Sequence, residues 1–571
     1  MKKIVTIILA VLMLSMSVFL TFGCSSGKQY DPDNFLPNGV EGNSWQIVKE
    51  PITLKVFVPF HSMHSHYSEM KLFKVLSERT NIKFDFVEAN VEGYSSLRST
   101  AWEDKDSLPD IFLFSNVVSE QVVFASQGAL TPLNDPNLEV AGVKVGSLLD
   151  YAPDYKKGLE TNFGLDVDSN AQEIATFSDG KMYSFVSVNS VPRDLTFKMY
   201  LNVEWIDSLN QRYPDLQLQR EPQTVDEYLK VLRAFKKYDA NRNGDANDEI
   251  PVSATKLDYL RNFILASYGY VSAGIEINQT KDAYEYVPST NAYRNYLKTL
   301  NVMYEEELLD NSTFEMSSMA DKGYKGILGS FSASAPYLVV GQKPMKGSQS
   351  QTPLDEQYSA FGPLLSNEYT GNRLQWNAIP YFQAIGAIIP TGTPYVREIA
   401  RLLNLFYTEE GIQLQSFGVE GEDFTWDNEE KDSFTFNIPE DFEGSPEEYR
   451  AKITPNVGLG AALWWDNNFV GKQNDEVLSV VNKEAERYLP YLKDPLPGEI
   501  KLTAKEYERI ALIETSLNTY IESAEYNFIT GVKDPESDKD WQEFIKKLED
   551  YNYKTMLQIY NDALNRYSEK N

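Results

Sequence analysis

The fold is decided by a stretch near the start of the chain, ITLKVFVP at residues 52–59, and by the two segments after it. This stretch alternates and is rich in β-branched side chains, which predicts a β-strand. Residues 70–78, MKLFKVLSE, have the spacing of an amphipathic helix, and residues 82–87, IKFDFV, alternate again. A short apolar strand is predicted at residues 110–114. Strands alternating with helices imply a parallel sheet covered by helices, so we predict an α/β protein.

Composition excludes several classes of protein. The 571 residues include 42% hydrophobic side chains, enough for a large core, and their number predicts more than one domain. The net charge of −30 argues against nucleic acid as a partner, because phosphate binding needs clustered Lys and Arg. A single cysteine rules out an intrachain disulfide, and with only three histidines it also excludes Cys-rich zinc ribbons and iron–sulfur clusters.

The N-terminus predicts export. Lys2 and Lys3 precede an apolar run at residues 4–22, and the only cysteine, Cys24, lies where the run ends. This layout resembles a lipoprotein signal peptide, which implies removal of residues 1–23, lipidation of Cys24 (palmitate) and attachment to the extracytoplasmic face of the cell membrane. A membrane-anchoring helix or an ordinary cleaved signal is the alternative. Polar residues 24–50 are predicted to form a flexible tether.

Further elements are predicted along the chain. Strands are expected at residues 180–188 and 197–202, the latter leading into a helix at 203–209. Thr224 and Glu227 have the spacing of a capping box at the start of a helix that ends near residue 238. The C-terminal third is rich in helices, with amphipathic runs at residues 503–528 and 538–567.

Seven motifs together resemble the bacterial extracellular solute-binding proteins of family 1, in particular the large lipoproteins of Gram-positive bacteria. They are LPDIF (108–112), GKMY (180–183), YLNVEWIDSL (200–209), PQTVDEY (222–228), DANRNGDANDEIP (239–251), FGVEGEDFT (417–425) and FITG (528–531).

The resemblance implies a monomer with two α/β lobes that close on an oligosaccharide and deliver it to an ABC permease. We assign residues 51–188 and 326–418 to the first lobe and residues 189–325 and 419–571 to the second. A non-sugar solute, or a membrane sensor in place of the permease, is the alternative.

Residues 239–250, DANRNGDANDEI, predict a calcium site. Oxygen-bearing side chains at positions 1, 3 and 5 and a glycine at position 6 match a calcium-binding loop. Position 12 is Ile250 and not glutamate, so another carboxylate must complete the site. The resemblance implies a structural role for the metal, and a metal-free polar turn is the alternative. The predicted ligands are Asp239, Asn241, Asn243, Asp245, Asp248 and Glu249.

Candidate ligand contacts come from loops and from aromatic residues in polar surroundings. Ligands of open α/β sheets bind beyond the carboxyl ends of the strands, and sugars are held by aromatic faces and polar side chains. The three histidines at positions 61, 64 and 66 are open to three interpretations: ligand contact, metal binding or an exposed loop. Of Trp464 and Trp465, one is expected to stack on the ligand. The predicted contacts are His61, His64, Ser115, Asn116, Arg193, Trp376, Asn377, Tyr381, Trp464 and Trp465.

The rival interpretation is a secreted glycoside hydrolase, which needs two carboxylates about 5–10 Å apart. The candidate catalytic carboxylates are Glu420, Glu422 and Asp423, but the resemblance places them in a connecting segment. The sequence contains neither G-x-S-x-G nor the phosphate-binding G-x-x-x-x-G-K-[ST] motif. We therefore predict a binding protein and not an enzyme.

Overall fold

The computed structural model describes residues 30–61, 63–90, 93–103, 108–114, 116–315, 318–341, 343, 352–443, 446–455 and 463–570. The predicted signal peptide and lipidation site, residues 1–23 and Cys24, lie outside these ranges, as does Ser115. No helix within the described ranges has the length and apolar character that crossing a membrane requires.

The first lobe is built on a six-stranded sheet. Strands Ile52–Phe60, Ile82–Asn90 and Ile111–Leu113 are parallel, as the alternating sequence predicts. Strand Phe382–Ile388 is antiparallel to both its neighbours, so the other five strands share one direction. The order across the sheet is Trp464–Trp465, Ser184–Asn189, Phe382–Ile388, Ile111–Leu113, Ile52–Phe60 and Ile82–Asn90.

Helices cover this sheet, and their buried side chains face it. In helix Lys71–Thr80 the buried side chains include Leu72, Phe73 and Leu76, and the helix ends at Asn81, which adopts a left-handed conformation with φ of 63°. The longer helices of this lobe are Lys71–Thr80, Tyr94–Glu103, Val118–Ser126, Pro153–Glu160, Val396–Leu405 and Glu409–Phe417.

The second lobe has a three-stranded antiparallel sheet, in which Lys198–Asn202 lies between Ser330–Ala333 and Tyr358–Phe361. Thr224 caps helix Val225–Lys237, as predicted, by accepting a hydrogen bond from the Glu227 N–H (3.2 Å), but the Glu227 carboxylate accepts from the Gln223 N–H (2.7 Å) and not from the Thr224 N–H of a capping box. The main helices are Val203–Arg212, Val225–Lys237, Leu257–Ala266, Asn291–Glu305, Glu476–Glu486, Ala504–Ile529, Asp538–Asp550 and Tyr553–Ser568.

Two segments lie in a different lobe from the predicted one. Residues 330–361 supply two strands of the second sheet, although residues 326–418 were assigned to the first lobe. Strand Trp464–Trp465 pairs with the first sheet, although residues 419–571 were assigned to the second lobe. Both differences arise because strand partners distant in sequence leave no local signal.

The predicted tether also differs from the structure over its described part. Phe35, Trp45, Ile47 and Val48 are buried in the core of the first lobe. Arg401 fastens the segment, since its guanidinium donates hydrogen bonds to main-chain carbonyls there, among them that of residue 46 at 2.7 Å. Four large apolar side chains outweigh the surrounding Gly, Pro and Asn, so the segment packs on the lobe.

Candidate functional site

The carboxyl ends of five parallel strands meet at one edge of the first sheet, and the chain crosses to the second lobe from this edge. We name the crossing segments the first crossover (residues 190–197), the second crossover (374–381) and the third crossover (466–475). Most of the predicted ligand contacts lie in these segments or next to them at the same edge. The crossovers therefore form the hinge between the lobes.

Hydrogen bonds join the first and second crossovers. The Leu195 carbonyl accepts from the Ala378 N–H at 2.8 Å, and the Thr196 hydroxyl donates to the Trp376 carbonyl at 2.6 Å. The buried Gln375 amide donates to the Thr196 hydroxyl at 2.8 Å. These bonds fix the two segments side by side as a single connection.

The third crossover begins beside the first. The Ser190 N–H donates to the Trp465 carbonyl at 3.0 Å, and the Ser190 hydroxyl accepts from the Asn467 N–H at 2.9 Å. The indole N–H of Trp465 donates to the Asp194 carboxylate at 2.8 Å. All three crossovers are thus hydrogen-bonded through the first.

An aromatic surface, which we name the platform, is formed by Phe197, Tyr259 and Trp376. The Phe197 and Tyr259 rings stack with centroids 4.3 Å apart, and Trp376 continues the stack at 6.2 Å from Phe197. All three side chains are only partly buried. The sequence predicted Trp376 as a ligand contact but did not indicate Phe197 or Tyr259. These two rings are brought next to Trp376 by the tertiary structure.

The two neighbouring tryptophans are more enclosed. Trp465 is 8% exposed, and the Arg450 guanidinium lies over its ring at 4.6 Å. Trp464 packs edge-on against Phe163 at 5.1 Å and belongs to the margin of the first core. The role of either as a stacking surface remains a prediction.

Arg193, in the first crossover, lies near the carboxylates of Asp194 and Glu447 and close to the bond between Asp194 and Trp465. It is 5% exposed, its Nε is 3.8 Å from an Asp194 carboxylate oxygen, and its Nη1 has no hydrogen-bond partner within the described parts of the chain. Burial acts to raise the pKa of Glu447, but the charges of Arg450 and Arg193 hold that pKa below its usual value. The region is therefore a buried network of charges.

Asn377 and Tyr381 occupy the second crossover. The Asn377 N–H donates to the Lys493 carbonyl at 3.0 Å, and its side-chain amide, oriented with nitrogen towards the carbonyls, donates to Leu195 and Ile379 at 3.2 Å each. Tyr381 is partly buried, and burial raises the pKa of its hydroxyl. Asn377 thus holds the hinge together, while Tyr381 lies where a ligand could approach.

The histidines come after the first strand, where the His61 and His64 rings lie with centroids 5.7 Å apart and His66 has a separate partner. His61 Nδ1 accepts from the Met63 N–H at 3.2 Å, whereas His66 Nδ1 lies 2.6 Å from the Glu88 carboxylate, whose hydrogen bond and charge raise the pKa of His66. His64 is buried against Tyr67. Within the described ranges, no three side chains of His, Cys, Asp or Glu are grouped to hold a metal ion.

Asn116 links two strands at the carboxyl edge of the first sheet. Its side-chain amide donates to the carbonyls of Phe112 (3.1 Å) and Ile385 (3.2 Å). It therefore holds the irregular part of strand Phe382–Ile388, whose register shifts between residues 383 and 387. Its position at the carboxyl edge agrees with the expected place of a ligand contact, but its hydrogen bonds serve the sheet.

The predicted calcium loop folds back on itself through its own side chains. An Asp239 oxygen accepts from the Gly244 N–H at 3.2 Å, Asn241 accepts from the Asn243 N–H at 2.9 Å, and Asn243 accepts from the Asp245 N–H at 2.8 Å. Gly244 has φ of 95°, a conformation that favours glycine. The side-chain oxygens of positions 1, 3 and 5 thus accept from main-chain N–H groups of the loop, and the Asn241 and Asn243 amides donate to the Asp248 carboxylate.

Two carboxylate oxygens in this loop lack partners. Glu249 is 5% exposed, and its Oε1 accepts from the N–H groups of Ala240 (2.7 Å) and Asn241 (3.3 Å). Glu249 Oε2 and Asp239 Oδ1 are buried without a hydrogen bond in the described structure. Burial raises the pKa of Glu249. Because unpaired buried carboxylate oxygens are costly, Asp239 Oδ1 and Glu249 Oε2 suit a hard cation such as calcium, although no three acidic side chains of the described loop are grouped around one point.

The acidic cluster of the hydrolase interpretation is engaged in other contacts. Glu420 pairs with Lys431 at 3.0 Å, and Glu422 pairs with Lys71. An Asp423 oxygen accepts from the Val419 N–H at 2.8 Å. These contacts agree with the predicted role of a connecting segment.

Comparisons with known proteins give a consistent class. No protein-family profile matches the chain. A fructooligosaccharide ABC transporter substrate-binding protein, FusA of Streptococcus pneumoniae serotype 4, is 22% identical over 511 residues, which cover 86% of this chain and 84% of FusA. The structure of S. pneumoniae FusA in complex with kestose matches with a TM-score of 0.70 and 19% identity, covering 91% of this chain and all of the other.

Two further solved structures share the architecture. A solute-binding protein of Bifidobacterium longum infantis, described as binding HMO, matches with a TM-score of 0.71 and 17% identity over 91% of this chain and 99% of the other. The alginate-binding protein AlgQ2, solved without calcium ion, matches at 0.67 and 18% over 92% of this chain and all of the other.

The chain therefore has the two-lobed fold of the solute-binding proteins. Within that class it resembles the extracellular substrate-binding proteins of ABC transporters, and the resemblance predicted from its motifs is confirmed.

Proposed function

We propose that this protein captures an oligosaccharide between its lobes and delivers it to an ABC permease. The observation that carries the proposal is the partly exposed platform of Phe197, Tyr259 and Trp376 at the hinge. Aromatic faces of this kind match the C–H faces of sugar rings. The oligosaccharides bound by FusA and its structural neighbours support the same ligand class.

Closure follows from the arrangement of the crossovers. A ligand on the platform lies beside the segments through which the lobes rotate, so the closed state gains contacts with both lobes. Because that gain exists only with ligand bound, binding shifts the population towards closure. The closed shape is the form that a permease would recognise. We propose no enzymatic step.

A lipid anchor at Cys24 and a structural calcium complete the proposal. The predicted ligands Asp239, Asn241, Asn243, Asp245, Asp248 and Glu249 would hold the ion, which would neutralise the buried carboxylates and rigidify the turn. Its role concerns stability and not ligand binding. The anchor rests on the N-terminal sequence pattern, and replacement of Cys24 by Ser should release the protein from membranes into the medium.

The binding proposal is tested by Trp376→Ala in calorimetric titrations with a panel of neutral oligosaccharides. The loss of one stacking partner, at about 1.4 kcal/mol, should weaken binding about tenfold. The control is Tyr213→Ala, which removes a ring from another exposed stack of the second lobe, against Tyr238 at 4.4 Å.

Equal affinities for the wild type and Trp376→Ala would refute the platform as the binding surface. A wild-type protein that binds no sugar, but binds another solute between its lobes, would move the proposal to that solute. Product formation from any oligosaccharide would contradict a pure binding role.

A further inference from the structure

A cavity of about 270 Å³, partly open to solvent, lies at the surface of the second lobe. Its walls are the first turn of helix Val225–Lys237, the middle of helix Asn291–Glu305 and residues 365–368. Helix Leu257–Ala266 runs between the platform and the cavity. Tyr259 of the platform lies near the start of that helix, and Tyr268 of the cavity wall lies just beyond its end. At 1.5 Å per residue the two are about 13 Å apart, so the cavity is separate from the platform.

One wall residue of the cavity carries a buried hydroxyl that has no partner in the described structure. Ser366 is 8% exposed, and its hydroxyl makes no hydrogen bond within the described structure. Its main-chain N–H is fixed by the Ser267 carbonyl at 3.1 Å, so the residue cannot easily turn outward. Because a buried hydroxyl without a hydrogen bond is costly, a ligand hydroxyl that reached Ser366 Oγ by a small movement of the wall would be bound favourably.

The remaining lining favours a neutral polar ligand. Asn367 Nδ2 donates to the Asp226 carboxylate at 2.9 Å, and Lys298 lies 2.7 Å from the Glu536 carboxylate. The negative charges of Asp226 and Glu368 at the exposed rim exceed the positive charge of Lys298, which is already paired. The net negative charge of the rim therefore opposes the entry of anions. Amides, hydroxyls and carboxylates together offer the donors and acceptors that vicinal hydroxyl groups need.

We propose that this cavity is a second binding site, for one uncharged polyhydroxylated unit the size of a single sugar residue. Its volume lies just below the range of about 300–1,000 Å³ typical for drug-sized ligands, so it holds one ring and not a chain. Leu229 and Val302 supply apolar wall for the ring's C–H groups. The site is independent of the proposed function, because it shares no residue with the platform.

The test uses the protein with residues 1–23 removed and saturation-transfer NMR with methyl glucoside as the neutral probe and glucuronate as the anionic one. Methyl glucoside should give a signal in the wild type that persists in Trp376→Ala, and glucuronate should give a signal at least fivefold weaker. Val302→Phe, which fills the cavity from a partly exposed position, should reduce the methyl glucoside signal at least fivefold. Val302→Ala is the matched control and should retain it.

A signal that is lost in Trp376→Ala and kept in Val302→Phe would overturn the second site while supporting the platform. The absence of any signal in the wild type would also overturn it. Should Val302→Phe fail to fold, Ser366→Ala decides: it should weaken the signal without lowering Tm, since it removes an unpaired group, and an unchanged signal would refute the proposal.

Discussion

Lys198 allows the hinge to be tested through its pH dependence. The side chain is completely buried at the start of the strand that comes after the first crossover. Its Nζ donates hydrogen bonds to the carbonyls of Arg193 (2.9 Å) and Thr196 (3.3 Å), so it fastens the crossover from within. Burial lowers the pKa of Lys198 to about 7, although Asp194 and Glu484 act in the opposite direction.

The magnitude follows from this pKa and the ordinary value of 10.5. Between the two values the unfolded chain binds the proton and the folded protein does not, so the free energy of unfolding rises with pH in this window. Integration from pH 6 to pH 9 gives a gain of about 2.5 kcal/mol from Lys198. Below pH 7 the folded protein carries the full cost of the buried charge.

Lys198→Met removes this dependence and keeps the volume of the side chain. The Tm of the wild type minus that of the variant should rise between pH 6 and pH 9 by about 5–10 °C, using about 2–4 °C per kcal/mol for a large domain. Lys501, whose pKa burial lowers to about 8, is present in both proteins and cancels in the difference. A gap that stays constant from pH 6 to 9 would refute the titration of a buried Lys198.

Two further predictions concern other buried charges. Asp239→Asn should lower the Tm measured in calcium, because it weakens one ligand of the metal. It should also abolish the fall in Tm that a chelator causes in the wild type. Identical chelator responses in the two proteins would contradict the calcium site. Glu276→Gln should cost about 3–5 kcal/mol, because it leaves Lys493, 2.6 Å away, as a buried cation without its counter-charge. Urea unfolding measures this loss, and a change below about 1 kcal/mol would show that the pair is not desolvated.

Local patterns in the sequence determine much of the fold. The alternation at residues 52–59 and 82–87 gives two strands where predicted, and the helical run at 503–528 forms one helix. The run at 538–567 is instead two helices, interrupted at Asn552, which adopts a left-handed conformation with φ of 63°. A single left-handed residue changes the direction of the chain without changing the amphipathic period, so the pattern could not show it.

The candidate site is less accessible to sequence reasoning. Trp376 could be recognised because polar residues surround it, whereas Phe197 lies in a strand-like run and Tyr259 in a helix, where aromatic side chains usually indicate core. Their shared surface depends on helix Leu257–Ala266 packing beside strand Gln375–Trp376, which are more than a hundred residues apart. Such a contact carries no short-range pattern.

The hinge and the ligand surface share residues, and this determines which substitutions test binding cleanly. Asn377 bonds two carbonyls of the crossovers through its side chain, so Asn377→Ala would loosen the hinge and alter closure and contact together. Trp376 has one hydrogen bond within the hinge, in which its carbonyl accepts from Thr196, and this bond survives in Trp376→Ala, whereas the contact of its ring with Phe197 is lost. Trp376→Ala should therefore lower affinity while it keeps the hydrogen bonds of the hinge, whereas Asn377→Ala should lower affinity and break two of those bonds, so its Tm without ligand should fall further. The comparison of the two variants separates stacking on the platform from the mechanics of closure.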